Sequence, residues 1–110
     1  MDHPDVVTSL GALAHDHRLT IYRWLVEQGP AGLPAGEIAE RLGVPPSSLT
    51  FHLQHLHRAG LIGQRRDGRK LFYTADFDRM RALVGFLTDK CCSADPAACA
   101  PVCATETMSG

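Results

Sequence analysis

Apolar side chains recur every three or four residues along the first quarter of the chain, from Val6 to Leu13 and again from Leu19 to Leu25. This period is typical of helices with one buried face, so we predict helices near residues 4–14 and 16–28. Pro4 suits a first helical turn because its φ angle is already fixed. The segment EQGPAGLP, with two glycines and two prolines, then predicts a break.

Two further helices are predicted in close succession. Ile38 and Leu42 lie four residues apart ahead of Gly43, which indicates a short helix of about 35–42. After a tight VPP turn, the segment PSSLTFHLQHLHRAG begins with a proline suited to a first helical turn and ends with a glycine. Its leucines recur at i, i+4 and i+7, which predicts an amphipathic helix whose buried stripe is Leu49, Leu53 and Leu56.

The next segment, LIGQRRDGRKLFYTA, has two strand-like runs separated by Asp67-Gly68, which predicts a β-hairpin with a two-residue turn. A last helix is predicted in DFDRMRALVGFLTDKCC, with Asp76 as its cap, and we expect it to reach the first two cysteines. The hairpin tip carries four cations, Arg65, Arg66, Arg69 and Lys70. The apolar stripe of the last helix consists of Phe77, Met80, Val84 and Leu87.

Composition places the chain among ordinary soluble proteins with one small domain, since 45% of the residues are hydrophobic and 21% are charged. No apolar run approaches the roughly 18 residues of a membrane span, and no secretory signal is visible. We therefore expect no membrane partner and a cytoplasmic, reducing setting, where cysteines are more often ligands or sensors than disulfides. We find no paired carboxylates, nucleophile-base set or phosphate loop that would indicate an enzyme.

The net charge of −1 hides a basic region, because residues 45–75 hold five bases and one acid, a local charge of +4. This fits a protein with one face that meets phosphate, although a solvated face would explain the charge equally well. The order of elements over residues 34–74 favours DNA binding over a merely solvated face. A short helix, a turn, an amphipathic helix and a basic hairpin form a winged helix-turn-helix, so the fold class is mainly α with a small β-hairpin.

The second helix of such a motif enters the major groove, where its polar face reads DNA. A glutamine can pair with adenine, hydroxyls can serve phosphates or base edges, and a phenyl ring can pack on a thymine methyl. The cations of the hairpin would reach the backbone or the minor groove. The predicted DNA-binding residues on the helix are Ser47, Ser48, Thr50, Phe51, Gln54 and Arg58, and those on the hairpin are the four cations at its tip.

These segments resemble the ArsR/SmtB metalloregulatory repressors over roughly residues 5–90. The run from Ser47 to Ile62 is similar to the recognition helix of that family and is its most specific signature. The resemblance implies a homodimeric domain over residues 1–90, with pairing of the first and last helices, and a repressor that leaves its operator on binding a metal or metalloid. Phe51 and Pro45 depart from the usual residues of the family, so its base preference does not transfer.

The apolar stripes of the two terminal helices independently favour a homodimer, since a core of this size has little room for both. Dimerisation would place the two recognition helices about one helical turn apart, roughly 34–36 Å. We therefore expect the partner to be double-stranded DNA with a palindromic operator.

A cysteine-rich tail over residues 91–110 is the predicted inducer-binding segment. The resemblance extends to a site type of the family that senses trivalent arsenic through a vicinal cysteine pair after the last helix and another cysteine a few residues on. Soft thiolates suit such a centre, and three of them complete its shell. The predicted inducer is As(III), with Sb(III) as a second ligand of the same chemistry, and the predicted ligands are Cys91, Cys92 and Cys99, with Cys103 as a spare or substitute ligand or a bystander.

Other readings of the tail stay open. Zinc or cadmium could bind all four thiols, although the vicinal, x6 and x3 gaps differ from the common Cys-x-x-Cys spacing. Oxidation of the thiols could also control DNA binding in a redox sensor of the same fold. His52 and His55 lie three residues apart on the recognition helix and could meet a metal, but His52 matches a position that is usually structural in the family, so neither is included in the predicted site.

Overall fold

The computed structural model of the chain describes residues 1–90. Residues 91–110, which hold all four cysteines, lie outside the described residues. Within the described part, no helix has the length and apolar character needed to cross a membrane. The elements in chain order are α1 (His3–Leu13), α2 (Asp16–Gln28), a 3-10 turn (Gly29–Ala31), β1 (Leu33–Pro34), α3 (Ala35–Leu42), α4 (Pro46–Arg58), β2 (Ile62–Asp67), β3 (Lys70–Ala75) and α5 (Phe77–Thr88).

The predicted fold class is confirmed, since helices dominate and β2 and β3 form the wing of a winged helix-turn-helix. Several predicted helix ends also have the expected chemistry. The Asp76 carboxylate caps α5 as predicted, accepting the Arg79 N–H at 3.0 Å. The Asp2 carboxylate, which was not predicted as a cap, accepts the Asp5 N–H at the start of α1, also at 3.0 Å. Helix α3 ends at Gly43, whose φ of 69° lies in the left-handed region that favours glycine.

The core lies where α2, α3 and α4 meet the base of the hairpin. The predicted stripe of α4 is buried there, with Leu49 2%, Leu53 3% and Leu56 0% exposed. The other hydrophobic side chains with no exposed surface among the described residues come from α2, α3 and the start of the hairpin, and are Ile21, Leu25, Ile38 and Leu61. Burial of a leucine or isoleucine contributes about 1.5–3 kcal/mol, so this cluster fixes α4 against the rest of the domain.

The sheet is antiparallel, with β3 between β1 and β2. Asp67 pairs with Lys70, so the two-residue turn is Gly68-Arg69 and the predicted Asp67-Gly68 turn was wrong by one residue. Gly68 has a φ of 63°, and a positive φ at the first turn position alone is the pattern of a type II′ hairpin, which places glycine first. The aspartate therefore belongs to the strand.

Strand β1 was not predicted from the sequence. It consists of two residues, and Leu33 pairs with Tyr73 and Pro34 with Phe72 of β3. Gly32 makes this approach possible, because a Cβ atom there would overlap the Tyr73 carbonyl and lie 2.8 Å from Thr74 Cγ2. Its φ of 69° and ψ of −171° also belong to a region that is essentially restricted to glycine.

Helix α5 ends at Thr88, so the expectation that it reaches the first two cysteines was wrong. Asp89 leaves the helix with extended backbone angles, and a negative side chain is unfavourable at a helix carboxyl end. The predicted apolar stripe of α5 is also divided. Met80 packs against the core, whereas Val84 and Leu87 are 48% and 56% exposed.

We predict that Gly32→Ala lowers the free energy of unfolding by more than about 2 kcal/mol, since steric overlap with β3 adds to a backbone strain of about 1–3 kcal/mol. Urea unfolding at one fixed protein concentration measures the loss. Gly29→Ala is the matched control, because Gly29 also has a positive φ, 64°, but open space where a Cβ would stand. Equal losses in the two variants would contradict a close contact between Gly32 and β3.

Candidate nucleic-acid interface

Helix α4 presents its predicted DNA-binding residues to solvent because its three leucines are held in the core. With 3.6 residues per turn, the polar residues that lie between these leucines in sequence face the opposite side of the helix. All six predicted residues of this helix are exposed, namely Ser47, Ser48, Thr50, Phe51, Gln54 and Arg58. Their exposure leaves them available to DNA, and their contacts with DNA stay a prediction.

The amino end of α4 has donors that the described residues leave without a side-chain cap. Pro45 is at the cap position and Pro46 is the first helical residue, so neither supplies a capping side chain. The first backbone N–H groups of a helix have no partner within it, here those of Ser47 and Ser48. Such groups, at the positive end of the helix dipole, are well suited to a phosphate oxygen.

Two exposed side chains in the middle of α4 have restricted chemistry. Thr50 Oγ1 donates a hydrogen bond of 2.9 Å to the Pro46 carbonyl, so its hydroxyl proton is already used and its methyl group is available for an apolar contact. Phe51 is 56% exposed and its ring meets that of His55 edge to face, with centroids 4.6 Å apart. Both side chains could therefore contact thymine methyl groups in the major groove.

A groove separates α4 from the hairpin, and it extends the predicted interface. Three of its lining residues come from the hairpin or the last turn of α4 and were missed from the sequence: His57, Gln64 and Tyr73. Gln64 and Tyr73 are opposite each other in the β2–β3 register, and Gln64 Nε2 lies 3.5 Å from Tyr73 Oη. Only that register reveals them, since the sequence places them nine residues apart. The groove is lined by Thr50, Leu53, Gln54, His57, Arg58, Gln64 and Tyr73.

The four cations of the hairpin differ in how free they are. Arg65 donates to the Ala31 carbonyl at 2.7 Å, lies over the Phe72 ring at 4.7 Å and approaches Asp67 at 3.9 Å, so much of its guanidinium is engaged within the fold. Arg66, Arg69 and Lys70 are exposed, and within residues 1–90 their side chains have no ion pair or hydrogen bond. These three are therefore better placed for phosphate contacts than Arg65.

A cluster of three imidazoles lies behind α4, and it was not predicted. His15 and His17 flank the start of α2, and their rings lie 4.7 and 5.4 Å from the ring of His52 on α4. The pKa of His52 is lowered mainly by burial of its ring and, to a smaller extent, by the nearby His15 and Arg18. The His-x-His spacing of residues 15–17 was the available signal, but nothing local connects it with His52 rather than with His55.

The predicted thiol site falls outside the described residues. Cys91, Cys92, Cys99 and Cys103 all follow residue 90, so their proposed ligation of arsenic or antimony stays a prediction. In the sequence, Cys91 follows three residues after Thr88, the last residue of α5.

Comparison with known proteins indicates that proteins similar to this chain regulate transcription. A helix-turn-helix domain model matches residues 13–65. The transcriptional activator HlyU of Vibrio cholerae is 33% identical over 89 residues, which cover 81% of this chain and 80% of that protein. A probable mercury resistance operon repressor of Streptomyces lividans is 30% identical over 102 residues, covering 92% of this chain and 78% of that protein.

Solved structures agree with the architecture. An ArsR-like transcriptional regulator from Rhodococcus sp. RHA1 superposes with a TM-score of 0.70 at 26% identity, covering 88% of this chain and 89% of that one. The homodimeric winged helix-turn-helix DNA-binding domain Mb0332 from Mycobacterium bovis gives a TM-score of 0.63 at 31% identity, covering 79% of this chain and 81% of that one.

We predict that Arg66→Ala and Arg69→Ala each reduce the salt dependence of DNA binding. Loss of one phosphate contact lowers the slope of log K against log salt by about 0.9. Fluorescence anisotropy with a labelled duplex over a salt series measures the slope. Arg81→Ala is the control, since Arg81 lies on α5 and already pairs with Asp78. A slope unchanged in both hairpin variants would exclude these residues from the interface.

Proposed function

Because this chain belongs to the ArsR/SmtB family of DNA-binding transcriptional regulators, and is not an enzyme, we propose that it is a cytoplasmic repressor that releases its operator on binding trivalent arsenic. The observation that carries the DNA-binding part is the exposed polar face of α4 beside the exposed side chains of Arg66, Arg69 and Lys70 on the hairpin. The inducer part rests on the cysteines that follow α5, in a segment of residues 91–110.

On DNA, α4 lies in the major groove with its amino end against the backbone. The free N–H groups of Ser47 and Ser48 bind a phosphate, and Gln54 reads a base edge through its amide. The hairpin then supplies Arg66, Arg69 and Lys70 to the backbone or to the adjacent minor groove. Affinity comes mainly from the hairpin cations and sequence choice mainly from the helix.

The terminal helices support a homodimer. Helices α1 and α5 lie side by side, since the His3 and Phe86 rings are 6.3 Å apart and Arg79 approaches Asp5 at 4.0 Å. Both helices expose large apolar side chains to solvent, namely Val7 and Leu10 of α1, and Val84, Phe86 and Leu87 of α5. Pairing of these helices between two protomers would bury them, and the M. bovis domain of similar fold is homodimeric. A two-fold dimer binds a palindromic operator.

Trivalent arsenic binds to the thiolates of Cys91, Cys92 and Cys99, with Cys103 as a fourth thiol nearby in sequence. Antimony(III) has the same preference for sulfur. The vicinal pair follows α5 within four residues, so ligation acts where the helix that carries the exposed apolar surface comes to an end. The relative described as a probable mercury resistance operon repressor is consistent with a thiophilic inducer.

Induction requires that the inducer bind the free dimer more tightly than the DNA-bound dimer. Each effector typically contributes about 1–3 kcal/mol of coupling, and a nearly complete switch requires about 5 kcal/mol. Two inducer sites in one dimer supply an effect of that order. A shift of α5 at the dimer interface changes the separation of the two α4 helices, which the fixed repeat of DNA does not tolerate.

We predict that arsenite weakens operator binding of the reduced protein at least about fivefold, the lower end of typical coupling. Cys91→Ser/Cys92→Ser should bind the operator normally and no longer respond, because the vicinal thiolates are removed while residues 1–90 are unchanged. Fluorescence anisotropy with and without arsenite measures both properties. Cys99→Ser should respond as the double variant does, whereas Cys103→Ser should keep the arsenite response if Cys103 is a spare ligand or a bystander.

A normal arsenite response in Cys91→Ser/Cys92→Ser would refute the proposed inducer site. Release by peroxide but not by arsenite would indicate a redox sensor instead. Release by zinc or cadmium alone, lost in each of the four single cysteine variants, would indicate a four-thiolate metal site.

A further inference from the structure

Three imidazoles from two separate parts of the chain converge at one place behind the recognition helix. His15 and His17 come from the start of α2 and His52 from α4, and one ligand nitrogen from each lies within 4.8 Å of the others. The His15 and His17 rings are 5.6 Å apart, and His52 completes the triangle at 4.7 and 5.4 Å. Charged side chains that meet so closely would repel, whereas neutral imidazoles at this spacing suit a shared cation.

We propose that His15, His17 and His52 form a binding site for a divalent transition metal of the zinc class, separate from the cysteines. Ligand nitrogens of one tetrahedral zinc ion lie about 3.3–3.5 Å apart, as zinc–nitrogen bonds of about 2.0–2.1 Å require. Because the nitrogens lie within 4.8 Å of one another, each pair needs to approach by about 1.5 Å at most. His15 is exposed and His17 half-buried, so both side chains have room to rotate towards the ion.

His52 is the fixed member of the site. It is only 8% exposed, and its Nδ1 is buried without a hydrogen-bond partner among the described residues. A buried polar atom without a partner is uncommon in a native fold, and a bound ion is one of its ordinary explanations. The position on α4 means that an ion here connects the recognition helix directly to the start of α2.

The donor set selects the class of metal. Three imidazoles, with neither thiolate nor carboxylate in the cluster, suit zinc, cobalt, nickel or copper and do not suit calcium or magnesium. Three protein ligands leave the fourth tetrahedral position to a water molecule. The Arg18 charge opposes a cation, but its Nε donates to the Ala12 carbonyl at 2.6 Å, which holds the guanidinium at the end of α1.

Coordination by His15 has a local cost. His15 Nδ1 caps α2 by accepting the His17 N–H at 3.1 Å, so a metal must replace this bond or change the imidazole tautomer. Loss of this cap weakens the start of α2. His15→Asn therefore separates the two roles, since an asparagine caps a helix well and is a poor ligand for zinc.

The test uses the full-length chain with all four cysteines replaced, Cys91→Ser/Cys92→Ser/Cys99→Ser/Cys103→Ser, so that thiolates cannot bind the probe. We predict that this protein binds one zinc ion per protomer in a competition titration with a chromogenic chelator, and that zinc raises its Tm. Adding His15→Asn or His17→Gln should each weaken zinc binding at least about tenfold and remove the rise in Tm.

His57→Gln is the matched control, because His57 is an exposed histidine on α4 outside the cluster. Unchanged zinc affinity in His15→Asn and His17→Gln would overturn the proposed site, as would absence of binding in the parent protein or an equal loss in His57→Gln. Cobalt absorption of the parent should show tetrahedral nitrogen and oxygen coordination, and an octahedral spectrum would also contradict the site. Every outcome is independent of arsenic binding, because the protein tested has no cysteine.

Discussion

The burial of one face of α4 is the constraint on which the interface depends. Leu49, Leu53 and Leu56 are almost fully enclosed by α2, α3 and the base of the hairpin, so the helix cannot rotate about its axis without exposing them. Because of the helical repeat, side chains on the face opposite the three leucines are exposed to solvent, namely Ser47, Thr50, Gln54 and Arg58. Orientation of the DNA-reading face is thus a consequence of core packing.

The hairpin obeys a second constraint, pairing with the short strand β1. Gly32 lets the chain approach β3 closely, and Arg65 bonds to the Ala31 carbonyl from the hairpin side. The pairing of β1 with β3 and the bond from Arg65 to Ala31 both fix the position of the hairpin, and the groove lies between the hairpin and α4. Arg65 therefore contributes mainly by positioning the hairpin, while Arg66, Arg69 and Lys70 keep their charges available to a ligand.

Features with local sequence signals could be predicted, and those that depend on distant residues could not. The helix containing Leu49, Leu53 and Leu56, the caps at Asp76 and Gly43, and the basic hairpin all have such signals. Strand β1 has two residues and exists only by pairing with Tyr73 and Phe72. The hairpin turn moved by one residue because the strand register, not the Asp-Gly pair, determines which residues are unpaired.

Candidate ligands show the same division. The grouping of the four cysteines in sequence is a local signal for a thiolate site, yet residues 91–110 lie outside the described structure. The three histidines are divided between α2 and α4, and only the packing of these helices brings them together. Soft thiolates and borderline imidazoles prefer different metals, so a chain with both could respond to two kinds of ion.

The most direct measurement is the effect of Gln54→Ala on base discrimination. A binding sequence is first selected from random duplexes, and affinities are then measured for each single base-pair change at constant salt. If α4 reads the major groove in a two-fold dimer, the variant should lose about 1–3 kcal/mol of discrimination at one symmetric position in each half-site, with its salt dependence unchanged. Full discrimination at every position in Gln54→Ala would contradict this role of α4.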